Sequence, residues 1–216
     1  MRQNGVRVFP CWESNSQNSN VKAPRCTGGF KSASCDSAKV QAWWRSNPNS
    51  LVGLDLDKNI LIVDIDVKQE VNGLENLRSA LSGTDPLDLV RKCGGEIVQT
   101  PSGGYHCYLR HSDAAQRFIN GTNINGISGV DIRIGEKGYV IAPLSSYPDQ
   151  TAYRFEDGND SPEKLEQFAK TLTDPSLLPT IPDSLEQALK KPSESYRHKK
   201  PDVSRDGEHK RHCDRH

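Results

Sequence analysis

The chain has 216 residues, a length that suits one domain of ordinary size with a small appendage. No apolar run is long enough to cross a bilayer, which excludes a membrane-spanning helix. The 28 basic and 28 acidic residues cancel, and this balance argues against a protein that coats nucleic acid nonspecifically. The N-terminus also lacks the apolar stretch of a secretory signal, so we expect a cytoplasmic protein with no membrane partner.

The N-terminal part of the chain predicts a loop followed by a helix. Residues 13–20 are small and polar, which is typical of a loop. Asp36 is a predicted N-cap, and Val40, Trp43 and Trp44 follow it at helical spacing. This spacing places the two aromatic rings on the core side of the helix, where they anchor the core.

The central part predicts two β-hairpins with helical sequence between them. Residues 51–56 and 60–66 flank a polar three-residue turn, which is typical of a hairpin. Residues 74–90 carry leucines at helical spacing, interrupted by a proline. Residues 96–100 and 105–110 are rich in β-formers and enclose two glycines, which predicts the second hairpin.

The C-terminal part predicts the remaining elements and a tail. We expect short helices over residues 113–119, 161–172 and 184–190, and strands over 130–134 and 138–144. The fold class is therefore α+β, with a mixed, mainly hairpin-connected sheet and packed helices. The predicted catalytic domain covers residues 1–182, and residues 183–216 are predicted to be a short helix and a charged, disordered tail or linker.

The stretch ILIVDID at residues 60–66 places two carboxylates at the end of an apolar strand. Side chains alternate along a strand, so Asp64 and Asp66 share one face while Val63 and Ile65 point to the core. Two carboxylates at this spacing can converge on divalent cations, Mg²⁺ or Mn²⁺. The alternative is that both lie at a solvated strand end.

A second strand, VDIR at residues 130–133, repeats the pattern with Asp131 and Arg133 on one face. A third carboxylate beside an arginine suits a metal-bound triphosphate, because the guanidinium binds phosphate oxygens with two hydrogen bonds. The alternative is a simple ion pair at the edge of the sheet.

The string TPSGGYH at residues 100–106 combines groups that can bind an anion. Glycines such as Gly103 let backbone N–H groups approach a phosphate closely, Ser102 adds a hydroxyl, and His106 adds a ring donor. The alternative is an ordinary Gly-Gly hairpin beside a core histidine.

The ordered set VFP, KAP, WW, VDID, TPSGGYH, GVDIR and GYVIAP, between residues 8 and 143, resembles the N-terminal bifunctional primase–polymerase domain of plasmid, phage and prophage replication proteins. That domain belongs to the archaeo-eukaryotic primase superfamily. The resemblance implies a DNA primase/DNA polymerase that catalyses two-metal, template-directed nucleotidyl transfer. It also implies nucleoside triphosphates and a single-stranded DNA template as ligands, and a replicative helicase in trans or in a longer parent protein as a partner.

The resemblance assigns roles to individual positions. It implies that Asp64, Asp66 and Asp131 are the catalytic, metal-binding carboxylates. The residues that it implies for nucleotide binding are Ser102, Gly103, His106, Arg133 and Lys22. Only four residues precede Gly5, where the family usually has a helix, and no P-loop occurs, so we expect a stand-alone domain or a fragment of a replication protein.

Alternatives for the function and for the metal site stay open at this point. The chain could be a catalytically inactive nucleic-acid-binding replication module, or a metal-dependent nucleotide-sugar transferase that also uses D-x-D. Asp55 and Asp57 form a second D-x-D, but Asp57 is expected to support its turn. The cysteines Cys11, Cys26 and Cys35 could bind zinc, although no C-x-x-C pair is present.

Overall fold

The strands form two main antiparallel sheets and one short two-stranded ribbon. The computed structural model describes residues 5–14, 20–111, 118 and 120–190. The strands are β1 Arg7–Cys11, β2 Leu51–Asp55, β3 Ile60–Ile65, β4 Val67–Lys68, β5 Val71–Asn72, β6 Glu96–Gln99, β7 Tyr105–Arg110, β8 Val130–Ile134, β9 Tyr139–Ile141 and β10 Arg154–Phe155. Strands β1, β2 and β9 form the first sheet in the order β1-β2-β9, and the second sheet has the order β10-β6-β7-β3-β8.

Helices pack against these sheets and contribute to their cores. They are α1 Ser37–Ser46, α2 Gly73–Ala80, α3 Pro86–Cys93, α4 Pro162–Thr173 and α5 Asp183–Leu189. Short 3₁₀ turns occupy Gly29–Ser32, Ile124–Gly126 and Pro175–Leu177. Helices and antiparallel sheets in one chain confirm the predicted α+β class.

The helix starts follow the local sequence. The carboxylate of Asp36 accepts a hydrogen bond from the N–H of Lys39, as predicted for an N-cap. The Ser161 hydroxyl caps α4, whose first residue is Pro162. The predicted helix over residues 113–119 lies almost entirely outside the described residues. Within the described part of the chain, no helix has the length and apolar character needed to cross a membrane.

The prediction that residues 51–56 and 60–66 form a hairpin is wrong. In the structure β2 pairs with β1 and β9, whereas β3 pairs with β7 and β8. Each strand therefore has both edges occupied, and the turn at residues 57–59 carries the chain from one sheet to the other. Gly53 permits the pairing of β2 with β1, because a Cβ there would lie 2.4 Å from the Phe9 ring on β1.

The strand β3 is buried on both faces and joins two hydrophobic cores. Ile60 and Ile62 face the core between the two sheets. Leu61, Val63 and Ile65 face the second core, which α2, α3 and α5 cover. This double burial accounts for the continuous apolar run in the sequence. The side of β3 that faces the first sheet changes from isoleucine to aspartate at Asp64, and the site begins there.

The helix α5 contributes to the second core. Leu185 and Leu189 are each 1% exposed and pack in the cluster that contains Ile181. The chain also pairs with the end of β7 just before α5, through the bridge between Arg110 and Thr180. These contacts fix the chain up to Leu189 against the second sheet.

Candidate active site

A cavity of about 480 Å³ opens between the two sheets where the apolar face of β3 ends. Asp64 on β3, His106 on β7 and Arg133 on β8 line one side of it. The strand β9 lines the cavity with Tyr139 and its neighbours, and Lys22 comes from the loop after β1. The fold thus gathers residues that are more than 100 positions apart in the sequence.

The strand register places three polar side chains in a row. His106 lies opposite Asp64 across the β3–β7 pair, and Asp131 lies opposite Asp64 across the β3–β8 pair. The Nε2 atom of His106 is 3.6 Å from an oxygen of Asp64. Two carboxylates directly opposite each other repel, so the Asp64–Asp131 pair needs a nearby cation.

Arg133 supplies that cation from the same strand as Asp131. Its Nη2 donates to Asp131 at 2.7 Å, and its Nε is 3.7 Å from Asp64. The other oxygen of Asp131 accepts the backbone N–H of Asn123 at 3.0 Å. Burial raises the pKa of Asp131, and the bonds from Asn123 and Arg133 offset only part of this effect. Asp131 is 7% exposed and does not itself line the cavity.

Asp66 lies just beyond β3 and also lines the cavity. Its backbone N–H donates to the carbonyl of Gly129 at 2.7 Å, and its carbonyl accepts the N–H of Gly73 at 2.8 Å. Its carboxylate is 2.9 Å from the ammonium of Lys68. Asp64 and Asp66 therefore reach one cavity, as the alternation of side chains predicted.

His106 is 6% exposed, and its ring lies against Tyr153 with centroids 5.6 Å apart. Burial lowers its pKa, while the negative charge of Asp64 opposes the shift. The ring is therefore neutral at pH 7 and carries a single N–H. Its Nδ1 atom is buried without a hydrogen-bond partner among the described residues.

Ser102 and Gly103 lie in the turn between β6 and β7 and do not line the cavity. The Ser102 hydroxyl is 3.0 Å from that of Thr100, and the N–H of Gly103 donates to the Thr100 carbonyl. A Cβ on Gly104 would lie 2.3 Å from the Ile65 carbonyl, so this glycine lets the turn sit against the end of β3. A nucleotide contact from Ser102 or Gly103 stays a prediction.

Several cavity residues were not identified from the sequence. These are Lys68, Asn120, Lys137, Tyr139 and Tyr153, among others. Most come from turns and strand ends, where no periodic pattern marks a side chain as functional. Tyr139 belongs to the string GYVIAP, and Lys137 directly precedes that string. This adjacency was the one local signal that could have marked Lys137 as a site residue.

Asp64 and Asp66 fit a divalent cation that is shared with a phosphate ligand. No group of three His, Cys, Asp or Glu side chains in the described ranges is arranged to hold a metal ion by itself. Mg²⁺, however, usually takes one or two carboxylates and completes its shell with water and substrate phosphates. The cavity offers two carboxylates of this kind. Both oxygens of Asp131 already accept a hydrogen bond, from Arg133 and Asn123, and Asp131 does not line the cavity, so a metal contact from Asp131 stays a prediction.

The three candidate zinc cysteines are not arranged as such a group among the described residues. Cys11 is buried, Cys26 is half-buried and Cys35 is exposed. Burial, together with the nearby Cys26, raises the pKa of Cys11 to about 12. Cys11 therefore keeps its proton at neutral pH in the absence of a metal ion.

The second D-x-D has structural partners outside this cavity. Asp55 forms an ion pair with Arg7 at 2.8 Å. Asp57 accepts the N–H of Asn59 at 2.8 Å, which confirms its predicted role in the turn. Neither residue lines the cavity that contains Asp64 and Asp66.

The fold and the cavity define an α+β protein with a charged cleft between two antiparallel sheets. Over residues 1–170 the sequence matches the family described as bifunctional DNA primase/polymerase, N-terminal. The match covers more than three quarters of the chain, and the chain belongs to this family. It therefore carries a primase/polymerase domain at the level of the family. No curated protein matches the chain.

Proposed function

We propose that this domain is a template-directed DNA primase/DNA polymerase in the replication protein of a plasmid, phage or prophage. The observation that carries the proposal is the meeting of Asp64 and Asp66 with Lys22, His106 and Arg133 around one cavity. The carboxylates suit a divalent cation, and the cationic and ring donors suit a triphosphate. Family membership supports the same reading.

Asp64 and Asp66 would hold Mg²⁺ or Mn²⁺, whose chemistry is to activate the attacking 3′-hydroxyl and to neutralise charge on the leaving pyrophosphate. Arg133 already lies 3.7 Å from Asp64 and can turn its guanidinium towards phosphate oxygens. Neutral His106 can donate one N–H to a phosphate. Asp131 would hold Arg133 in place, and the lone pairs left on its oxygens would let it join the metal ligands as well.

The ligands of this site would be nucleoside triphosphates and a single-stranded DNA template. A replicative helicase, in trans or in a longer parent protein, would supply the unwound strand. The nucleotide-sugar transferase alternative has no observation in its favour once the family is known. The inactive nucleic-acid-binding module is an outcome of the test below.

The test is primer extension and de novo synthesis on single-stranded DNA with Mg²⁺ or Mn²⁺. Asp64→Asn/Asp66→Asn removes both charges and keeps the side-chain shape, and we expect it to lower the rate at least about 100-fold. Asp55→Asn/Asp57→Asn is the matched control, because it changes a D-x-D outside the cavity. It should retain the wild-type rate.

Retained synthesis by the folded Asp64→Asn/Asp66→Asn variant would place the chemistry elsewhere. If folded wild type makes no product with either cation, calorimetry with a nucleoside triphosphate separates two cases. Binding would identify an inactive module, and absence of binding would reject the proposed site.

A further inference from the structure

The carboxylates around the cavity leave two of its lysines without an ion pair. Arg133 pairs with Asp131, and Lys68 pairs with Asp66. Lys22 and Lys137 line the same cavity, yet neither has a carboxylate within 4.0 Å among the residues that the structure describes. The site thus contains more basic than acidic side chains, and the excess lies on these two lysines.

Lys137 is carried by a turn that the fold holds in place. The turn joins β8 to β9 and makes two backbone hydrogen bonds to the segment around β2 and β3, from Gly135 to Ile60 at 3.2 Å and from Glu136 to Leu56 at 3.1 Å. A Cβ on Gly135 would lie 1.9 Å from the Asp57 carbonyl, so the turn packs directly on that segment. The backbone of Lys137 therefore has little freedom, while its side chain is exposed and lines the cavity.

Lys22 is held in an uncommon backbone conformation on the loop after β1. Its φ is +71°, which is unfavourable for a residue with a side chain. Its N–H donates to the Trp12 carbonyl at 2.8 Å, and its carbonyl accepts the Tyr139 hydroxyl at 3.2 Å. Its ammonium lies 5.7 Å from the centre of the Tyr153 ring. The fold thus keeps this strained residue against Tyr139 at the start of β9. Tyr139 follows Lys137 by two positions in the chain.

We propose that Lys137 is a substrate-binding residue that forms, with Lys22, a pair of phosphate ligands acting independently of the divalent cation. An ammonium group that has no carboxylate partner is free to donate charge-assisted hydrogen bonds to phosphate oxygens. The inference deepens the proposed function and rests on it for the source of the phosphate. That source is the triphosphate of a nucleotide or the backbone of single-stranded DNA.

The test measures binding in EDTA by calorimetry, so that no divalent cation contributes. The ligands are inorganic tripolyphosphate, a nucleoside triphosphate and a single-stranded oligonucleotide. The variants are Lys22→Met, Lys137→Met and their combination, because methionine keeps an apolar stem of similar length. Lys92→Met on α3 is the control, since Lys92 is an exposed lysine outside the cavity. We expect each cavity variant to weaken binding at least about fivefold, and Lys92→Met to bind as wild type does.

The three ligands distinguish the sources of phosphate. Weaker binding of tripolyphosphate and the nucleotide assigns the pair to the triphosphate, whereas weaker binding of the oligonucleotide alone assigns it to the DNA backbone. The inference is overturned if wild type binds none of the ligands in EDTA, or if the double variant binds all three as tightly as wild type. Because the readout is binding, a wild type that binds tripolyphosphate but extends no primer would reject the proposed function and leave the phosphate pair standing.

Discussion

At the scale of single residues, the most consequential interaction of the site is the one between Arg133 and Asp131. The side chain of Asp131 is 10% exposed and faces Asp64 across the strand pair. Arg133 stands close to both carboxylates, at 2.7 Å and 3.7 Å. Removing this cation would leave a buried carboxylate with one backbone donor and a like charge opposite. The arginine therefore stabilises this arrangement of carboxylates, and in the proposed function it also contacts phosphate.

This arrangement predicts strong coupling between the two residues. Arg133→Met should lower the free energy of unfolding by about 1–3 kcal/mol, since it leaves a charged acceptor underpaired. Adding Asp131→Asn should restore part of that loss, because the amide needs no cation. Urea denaturation of the wild type, both single variants and the double variant at pH 7 gives the coupling energy.

The matched control for the coupling is Lys68→Met, which removes the more exposed ion pair with Asp66. An exposed pair of this kind contributes less than about 1 kcal/mol. Additive effects of Arg133→Met and Asp131→Asn would show that the two side chains do not depend on each other.

At the scale of secondary structure, the sequence predicted the caps and the helices well, because those signals are local. Asp36 caps α1 as predicted, and α4 begins at Pro162, where a helix was expected. The sequence-based prediction that β2 and β3 pair with each other failed. A short polar turn between two apolar runs is equally compatible with a hairpin and with a crossing between sheets. The outcome depends on distant partners such as Phe9, which fits against Gly53.

The helix α3 offers a prediction about capping and pH. Asp85 is its N-cap and accepts the N–H groups of Leu87 and Asp88 while pairing with Arg78. Partial burial disfavours its charge, but the bond from Arg78 and the two backbone bonds outweigh this and lower its pKa. Its carboxylate therefore stabilises the fold above the ordinary value of 3.8, and this contribution is lost as the pH falls through the lower pKa of the folded state.

We expect Asp85→Ala to lower the free energy of unfolding by about 1 kcal/mol at pH 7 through loss of the cap. Asp85→Asn keeps a capping oxygen and loses only the charge, so it should be less damaging. The difference between wild type and Asp85→Asn should shrink as the pH is lowered below 3.8, as measured by urea denaturation at several pH values. A difference that stays constant with pH would show that the charge of Asp85 does not contribute.

At the scale of the whole molecule, the site exists because two sheets leave a gap at the end of β3. The sequence could indicate Asp64, Asp66 and Asp131, since alternation along a strand fixes which side chains share a face. It could not indicate Lys137 or Tyr139 as parts of the site, because their place in the cavity depends on how the first sheet packs on the second. The cavity therefore combines residues that local patterns reveal with residues that only the packing of the sheets brings in.

The same view of the molecule explains why the two aspartates are exposed to the cavity. The apolar run of β3 fills both cores, and the strand reaches the cleft between the sheets only at Asp64. There the protein places two carboxylates among several cations, an arrangement that suits a metal–phosphate ligand better than a plain strand end. We therefore expect Asp64 and Asp66 to hold the divalent cation that accompanies a nucleotide.

The most direct test is anomalous diffraction from crystals of the protein grown with Mn²⁺ and a non-hydrolysable nucleoside triphosphate. We predict a manganese peak within about 2.5 Å of carboxylate oxygens of both Asp64 and Asp66, with the phosphates on the same ion. A nucleotide bound with its manganese away from both aspartates would contradict this role of Asp64 and Asp66, as would a nucleotide held in another cavity.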